Sequence, residues 1–246
     1  DLYVFDAFGT AHRKQASTYG AIKSALASAP GLLLEKEISS LKSVLDNYKN
    51  PYIAVIGGSK VSTKLGLIEN LINKVDKIIV GGGIANTFLL AKEYEIGESL
   101  CEPDMVNIAE RLMNSGKIIL PEEVVTSKSF EGDSIRTKKI DKLDKDDLIL
   151  DLCLSNAMAE IIKNASTILW NGPLGVFENE FFEKGTRDLA VEIEKASAYT
   201  VAGGGETLAA ISKFINKDGV SYSSTGGGAF LEFMEGKVLP AIEALS

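Results

Sequence analysis

The chain has 246 residues, room for one large or two modest domains, and its 45% hydrophobic and 24% charged residues are an ordinary globular composition. A formal net charge of −8 and a pI near 4.9 argue against nucleic acid as a partner, so any anion must meet a local cluster of positive groups. No apolar run approaches the ~20 residues of a membrane span, no signal peptide is expected, and two isolated cysteines, Cys101 and Cys153, suit free thiols in a reducing cytosol better than a disulfide framework or zinc knuckle.

The chain opens on Asp1, and "DLYVFDAF" already reads as a strand over Leu2–Phe8; a start inside an element is often that of a truncated product, which is the expectation here. A polar "GTAHR" turn follows, then a short helical stretch ending near Pro30-Gly31. Residues 32–48 carry apolar side chains at Leu34, Ile38, Leu41, Val44, Leu45 and Tyr48, the spacing of a helix. Asn50-Pro51 breaks it, since the residue ahead of a proline avoids the helical region.

From Tyr52 onward one pattern recurs. "YIAVIGG", "KIIVGGG", "TILWNGP", "YTVAGGG" and "VSYSSTGGG" are each a short strand-like run ending in a glycine turn, and each leads into an amphipathic or apolar helix start. Short apolar strands alternating with helices imply crossover units and a mainly parallel sheet, α/β and Rossmann-like, with helices on both faces. Right-handed crossovers then place all five glycine turns on one edge, where such sheets bind ligands. Glycine also serves close helix–strand packing, but nine of the 23 glycines lie in triplets at 81–83, 203–205 and 226–228, which packing alone explains poorly. Residues 122–147 read instead as a polar, solvated excursion with one strand at Val124–Thr126.

The groups able to do chemistry are few. Lys60 and Lys64 follow Gly57-Gly58 and are expected on the first two turns of a helix, on one face, where free N–H groups and two cations make an anion site. The plainer alternative is a solvated lysine pair. The arrangement is not a P-loop, and no strand is followed by the dinucleotide fingerprint G-x-G-x-x-G. Asn171 offers a donor and an acceptor at a strand end, while Trp170, the sole tryptophan, is expected to pack. Glu178 could accept from sugar hydroxyls or be an ordinary surface acid. Glu206 is a puzzle, an acid opening a helix where an anion is expected. His12 is the only histidine, which removes histidine-based metal sites. Cations, helix starts, glycine turns and one or two acids suit phosphoryl transfer, in which the protein positions and stabilises charge without a covalent step.

Taken in order, "DAFGTAHR", "GGSKVSTK", "IIVGGGIANTF", "LWNGPLGVFE", "GGGETLAA" and "STGGGAFLEFMEGKVLPAIEAL" resemble the phosphoglycerate kinase family, and the resemblance runs across nearly the whole chain. It implies a remnant of the N-terminal substrate domain at 1–34 and an interdomain helix at 35–50. A nucleotide-binding domain would follow at 51–236, with a tail at 237–246 returning toward the N-terminal domain. Implied too are reversible phosphoryl transfer between 1,3-bisphosphoglycerate and ADP giving 3-phosphoglycerate and ATP, Mg²⁺, a cytoplasmic location and a monomer at full length. By position, Lys60 would meet the transferring phosphoryl group and Lys64 the α-phosphate. Gly58, Gly81, Gly82 and Leu150 would line the adenine pocket, Asn171 would approach the phosphates, and Pro173 and Glu178 would hold the ribose. Gly204, Gly205, Glu206 and Thr207 belong to the nucleotide turn, with Glu206 on the metal side because Mg²⁺ is commonly held by one or two carboxylates plus phosphates.

Gly226, Gly227 and Gly228 would present a helix start to the transferred group, so that Lys60, Gly227 and Gly228 form the catalytic set. Arg13 would serve 3-phosphoglycerate. Two positions depart from the family pattern. Glu206 stands for the usual Asp, and Cys153 stands for a glycine, where it is expected to narrow the pocket or reshape its rim. With most of the substrate domain missing, these residues are expected to bind nucleotide without turnover. A non-catalytic nucleotide-binding module is the alternative, and a dinucleotide oxidoreductase fits the fold class but lacks the fingerprint.

Overall fold

A computed structural model describes all residues 1–246. Strand β1 (Leu2–Phe5) lies parallel to β2 (Ala27–Pro30), with the short helix α1 (Ala21–Ser24) between them. The expected strand over residues 2–8 stops at Phe5 because Asp6 turns to the start of the helix at Leu32–Leu45, accepting from Leu34 N–H at 2.8 Å. Phe8 then buries in a 3₁₀ turn over Phe8–Thr10. The helical stretch expected to reach Pro30 ends at Ser24, and "ASAP" becomes β2 through its pairing with β1 rather than through any local β-preference.

Helix α2 (Leu32–Leu45) buries Leu34, Leu41, Val44 and Leu45 as its spacing predicts, with Glu37 buried among them. It ends at Leu45, several residues before Pro51.

The chain then runs through β3 (Tyr52–Ile56), α3 (Leu65–Leu71), β4 (Lys77–Val80), α4 (Gly82–Ala91), α5 (Val106–Met113) and β5 (Ile118–Ile119). An antiparallel set follows, β6 (Glu123–Ser127), β7 (Arg136–Lys139) and β8 (Leu148–Leu152). It returns through α6 (Asn156–Lys163), β9 (Thr167–Asn171), α7 (Lys184–Lys195), β10 (Tyr199–Gly203), α8 (Gly205–Phe214), β11 (Tyr222–Ser224), α9 (Gly228–Met234) and α10 (Pro240–Leu245).

Six strands form one parallel sheet in the order β11-β10-β9-β3-β4-β5. Every residue of β3 and β9 is buried, and since neighbours on a strand point to opposite faces, both faces of the sheet are covered. The order grows from β3 toward β5, then from β9 toward β11 on the other side, so it reverses beside β3. Open α/β sheets bind ligands at such a reversal, outside the strand C-termini. All five glycine turns identified in the sequence follow β3, β4, β9, β10 and β11.

Residues 122–147 are not the solvated excursion their charge suggests. They supply β6 and β7, and β8 completes the three-stranded sheet. The Lys/Asp alternation folds inward on Asp147, which is buried and pairs with Lys138 at 2.6 Å and Lys128 at 3.0 Å. One continuous core joins Phe5, Phe8 and Ile22 to the parallel sheet and to Ala241 and Ala244 of α10. No helix is long and apolar enough to cross a membrane.

Candidate functional site

The glycine turns after β3, β4 and β9 are locked to one another by backbone contacts that tolerate no side chain. Gly57 N–H donates to the Asn171 carbonyl at 3.0 Å, and a Cβ on Gly57 would overlap the Pro173 carbonyl. Gly172, at φ 113°, presses on Gly57 in turn. The β4 turn joins them, Gly82 N–H donating to the Leu174 carbonyl at 2.9 Å and Ile84 N–H to Gly58 at 3.2 Å.

Two buried side chains tie in the β10 turn. Asn171 Nδ2 donates to the Gly203 carbonyl at 2.6 Å, while its Oδ1 accepts from Lys64 Nζ. Thr207 Oγ1 donates to that same carbonyl at 2.8 Å and accepts from Gly172 N–H at 2.8 Å. The donor and acceptor expected to face a ligand at Asn171 are thus engaged within the chain.

Lys60 and Lys64 do not occupy the first turns of a helix. Residues 57–64 form an irregular loop, α3 begins at Leu65, and Lys64 is its N-cap. Lys60 is exposed, whereas Lys64 is half-buried. Burial pulls the Lys64 ammonium down to about 8, against the opposing fields of Glu206 and Glu235. Both lysines still stand at the C-terminal edge of the sheet. The spacing gave their location, but not their backbone.

Beside them opens a cavity of about 380 Å³. Of the residues singled out from the sequence, Gly58, Gly82, Leu150, Pro173, Glu178 and Glu206 line it. Gly81 sits behind, against Leu174. Lys60, Lys64, Asn171, Gly204, Gly205 and Thr207 lie outside the cavity lining, on the neighbouring turns of the same edge. Glu206 is exposed in the first turn of α8. Cys153 does not line the cavity, so it does not narrow it; burial pushes its thiol up, away from the reactive range.

Of the opposite wall, formed by β8, sequence reasoning named only Leu150; Leu148, Ile149 and Leu152 of the same strand also line the cavity, as do Leu100 and Phe130. Phe130 carried a signal, a lone aromatic in a charged run, and it is more than half exposed. Leu100 carried none.

The third triplet lies apart from the cavity. The Phe8 ring covers Gly226 and the His12 imidazole lies over Gly228, while Gly227, at φ 51°, faces open space. Arg13, adjoining His12, is exposed. His12 Nδ1 is buried without a hydrogen-bond partner.

A protein-family model described as phosphoglycerate kinase matches residues 1–237. The structure of phosphoglycerate kinase from Coxiella burnetii is similar over 100% of this chain and 65% of its own length, with 47% identity and a TM-score of 0.94. That of phosphoglycerate kinase from Pyrococcus horikoshii OT3 is similar over 100% of this chain and 64% of its own, with 33% identity and a TM-score of 0.85. The chain therefore spans just under two thirds of the length of these relatives. With the motifs in order along one sheet edge and the family match spanning nearly every residue, the chain belongs to the phosphoglycerate kinase family.

Proposed function

We propose that these 246 residues form the nucleotide-binding part of a phosphoglycerate kinase, transferring a phosphoryl group between 1,3-bisphosphoglycerate and ADP to give 3-phosphoglycerate and ATP in the cytoplasm, with residues 51–236 as the nucleotide domain. The observation that carries this is the cavity at the sheet reversal, edged by glycine turns and flanked by two lysines. In this reading the base enters between Gly58, Gly82 and Leu150, and Pro173 and Glu178 meet the ribose at the rim. Lys64, Asn171 and the turn of Gly204, Gly205 and Thr207 stand along the phosphates.

Lys60 reaches the transferring group as a mobile point charge, a stabilisation suited to phosphoryl transfer. Glu206, an exposed carboxylate lining the cavity within the field of Lys64, fits a cation delivered on the nucleotide. When bound, Mg²⁺ would neutralise charge on the phosphate oxygens. Gly227 and Gly228 leave backbone, not side chain, facing the transferred group. Arg13 serves the acyl-phosphate substrate, most of whose site belongs to residues 1–34 and to a domain outside these residues. The segment 35–50, helical as far as Leu45, joins the two, and 237–246 returns across the junction. These residues alone bind nucleotide without turnover, and the full-length protein works as a monomer.

Calorimetric titration tests this. Mg-ADP should bind one to one, and Lys60→Ala should weaken a γ-phosphate analogue by roughly 1.5–3 kcal/mol, the scale of a charged hydrogen bond. Binding of NADH in place of ADP, or equal analogue affinity in the variant, would sink the reading.

A further inference from the structure

The loop that carries Lys60 is irregular from Gly57 to Lys64, and its own backbone does little to hold it. Within it, Lys64 N–H donates to Val61 at 2.9 Å and the Thr63 hydroxyl to the Lys60 carbonyl at 2.8 Å. Only one side chain from elsewhere is hydrogen-bonded to residues 59–63. Glu102 uses both carboxylate oxygens on Ser62, Oε2 accepting from the backbone N–H at 2.9 Å and Oε1 from the hydroxyl at 2.6 Å.

Glu102 is itself fixed. Its N–H donates to Thr87 Oγ1 at 3.0 Å, and the Thr87 hydroxyl donates to the Gly83 carbonyl at 2.8 Å, at the first turn of α4. Two residues before it, Leu100 lines the cavity, and its carbonyl accepts from Asn86 Nδ2 at 3.0 Å. A short rigid path thus joins the β4 glycine turn to Ser62, two residues beyond Lys60.

An acid next to an anion site needs a reason, and the geometry supplies one. An ionised carboxylate offers two acceptor oxygens and no proton of its own, so it can take the N–H and the O–H of one residue at the same time, one on each oxygen. Glu102 forms no ion pair with Lys60, so the ammonium stays available to a ligand. Partial burial alone would raise the Glu102 carboxyl. The Ser62 hydroxyl, the Ser62 and Val61 backbone and the nearby Lys60 charge outweigh that and hold it below the usual glutamate range.

We infer that Glu102 is a positioning residue, which holds the Ser59–Thr63 loop so that Lys60 meets the terminal phosphate of the bound nucleotide. This rests on the nucleotide reading above. The test combines amide hydrogen exchange over residues 59–64 with calorimetric affinities for Mg-ADP and a non-hydrolysable Mg-ATP analogue. Glu102→Ala should speed exchange at Ser62 at least tenfold and weaken the analogue about tenfold, while ADP changes less than threefold. Glu102→Gln, which can accept from the Ser62 N–H and donate to its hydroxyl, should restore both to within threefold of the parent. In a Lys60→Ala background, Glu102→Ala should leave the analogue-to-ADP ratio unchanged.

Unaltered exchange in a folded Glu102→Ala variant overturns the inference. So does faster exchange with an unchanged ratio, or a further loss in the Lys60→Ala background. If the parent binds no nucleotide, the proposed function fails instead, and the exchange comparison of Glu102→Ala with Glu102→Gln still decides whether Glu102 holds the loop.

Discussion

Lys64 is a cation that the fold does not favour. Burial brings it down to about 8, although Glu206 and Glu235 push the other way. Between that value and its unfolded value near 10.4, the unfolded chain binds more protons than the native one, so the contribution of Lys64 to stability rises with pH across this window and is lost as pH falls through 8. Phosphate binding needs the ammonium and should run the opposite way. ADP affinity measured from pH 7 to 9.5 should fall through about 8, losing roughly 1.5 kcal/mol by the upper end, and Lys64→Met should flatten the profile. A parent profile already flat would remove Lys64 from the phosphates. The two lysines were legible because glycine and lysine at a strand end carry their chemistry locally. Their backbone was not, because what keeps residues 57–64 out of a helix lies far along the chain, at Glu102 and in the Gly57–Gly172 contact.

At the level of elements, β8 joins the cavity to the helix behind it. Asp151 is buried within the strand, Oδ2 accepting from Gly185 N–H in the first turn of α7 at 2.7 Å and Oδ1 from Leu152 N–H at 2.9 Å. Burial pushes its carboxyl up to about 7, more than the two N–H donors pull it down. The sign is opposite to that of Lys64. Between about 4 and 7 the native chain holds a proton that the unfolded chain has lost, so stability from this group is full below the lower value and fades as pH rises through 7. The parent should lose on the order of 2–4 kcal/mol across this window from Asp151 alone, and denaturant melts of Asp151→Asn should lack that slope.

The five strands and their glycine turns were readable because each announces itself in a dozen residues, but the helix expected straight after Pro173 is an irregular run that reaches α7 only at Lys184. Of the β6–β8 sheet only β6 was readable, as the strand expected over Val124–Thr126. Its approach is rich in Lys and Asp, which read as solvent-facing until the pairs of Lys128 and Lys138 with Asp147 turn them inward. Strand β2 likewise has no local signal and exists only through β1.

Across the whole molecule, the two ends of the chain hold each other. Helix α10 packs on α1 and β2, and Ala241 N–H donates to the Ala11 carbonyl at 3.0 Å. Leu239, Ala241 and Ala244 are buried there, and the rings of Phe8 and Phe233 meet edge-on at 6.3 Å beside the third glycine triplet. The first strand has little else on its outer side, where Leu2 and Val4 are more than half exposed. Residues 1–30 therefore depend on a segment more than 200 positions away, a link that no local pattern could announce. Removing residues 238–246 should withdraw roughly 3–4 kcal/mol of apolar burial, lowering the melting temperature by about 6–16 °C for a chain of this size. Amide exchange should then rise first in β1, β2 and residues 8–13, while β3 and β9 stay protected, because their neighbours are β4 and β10. Loss of protection spread evenly over the parallel sheet would show instead that the ends and the sheet unfold as one unit, and that His12, Arg13 and the Gly226–Gly228 turn cannot be loosened separately from the cavity.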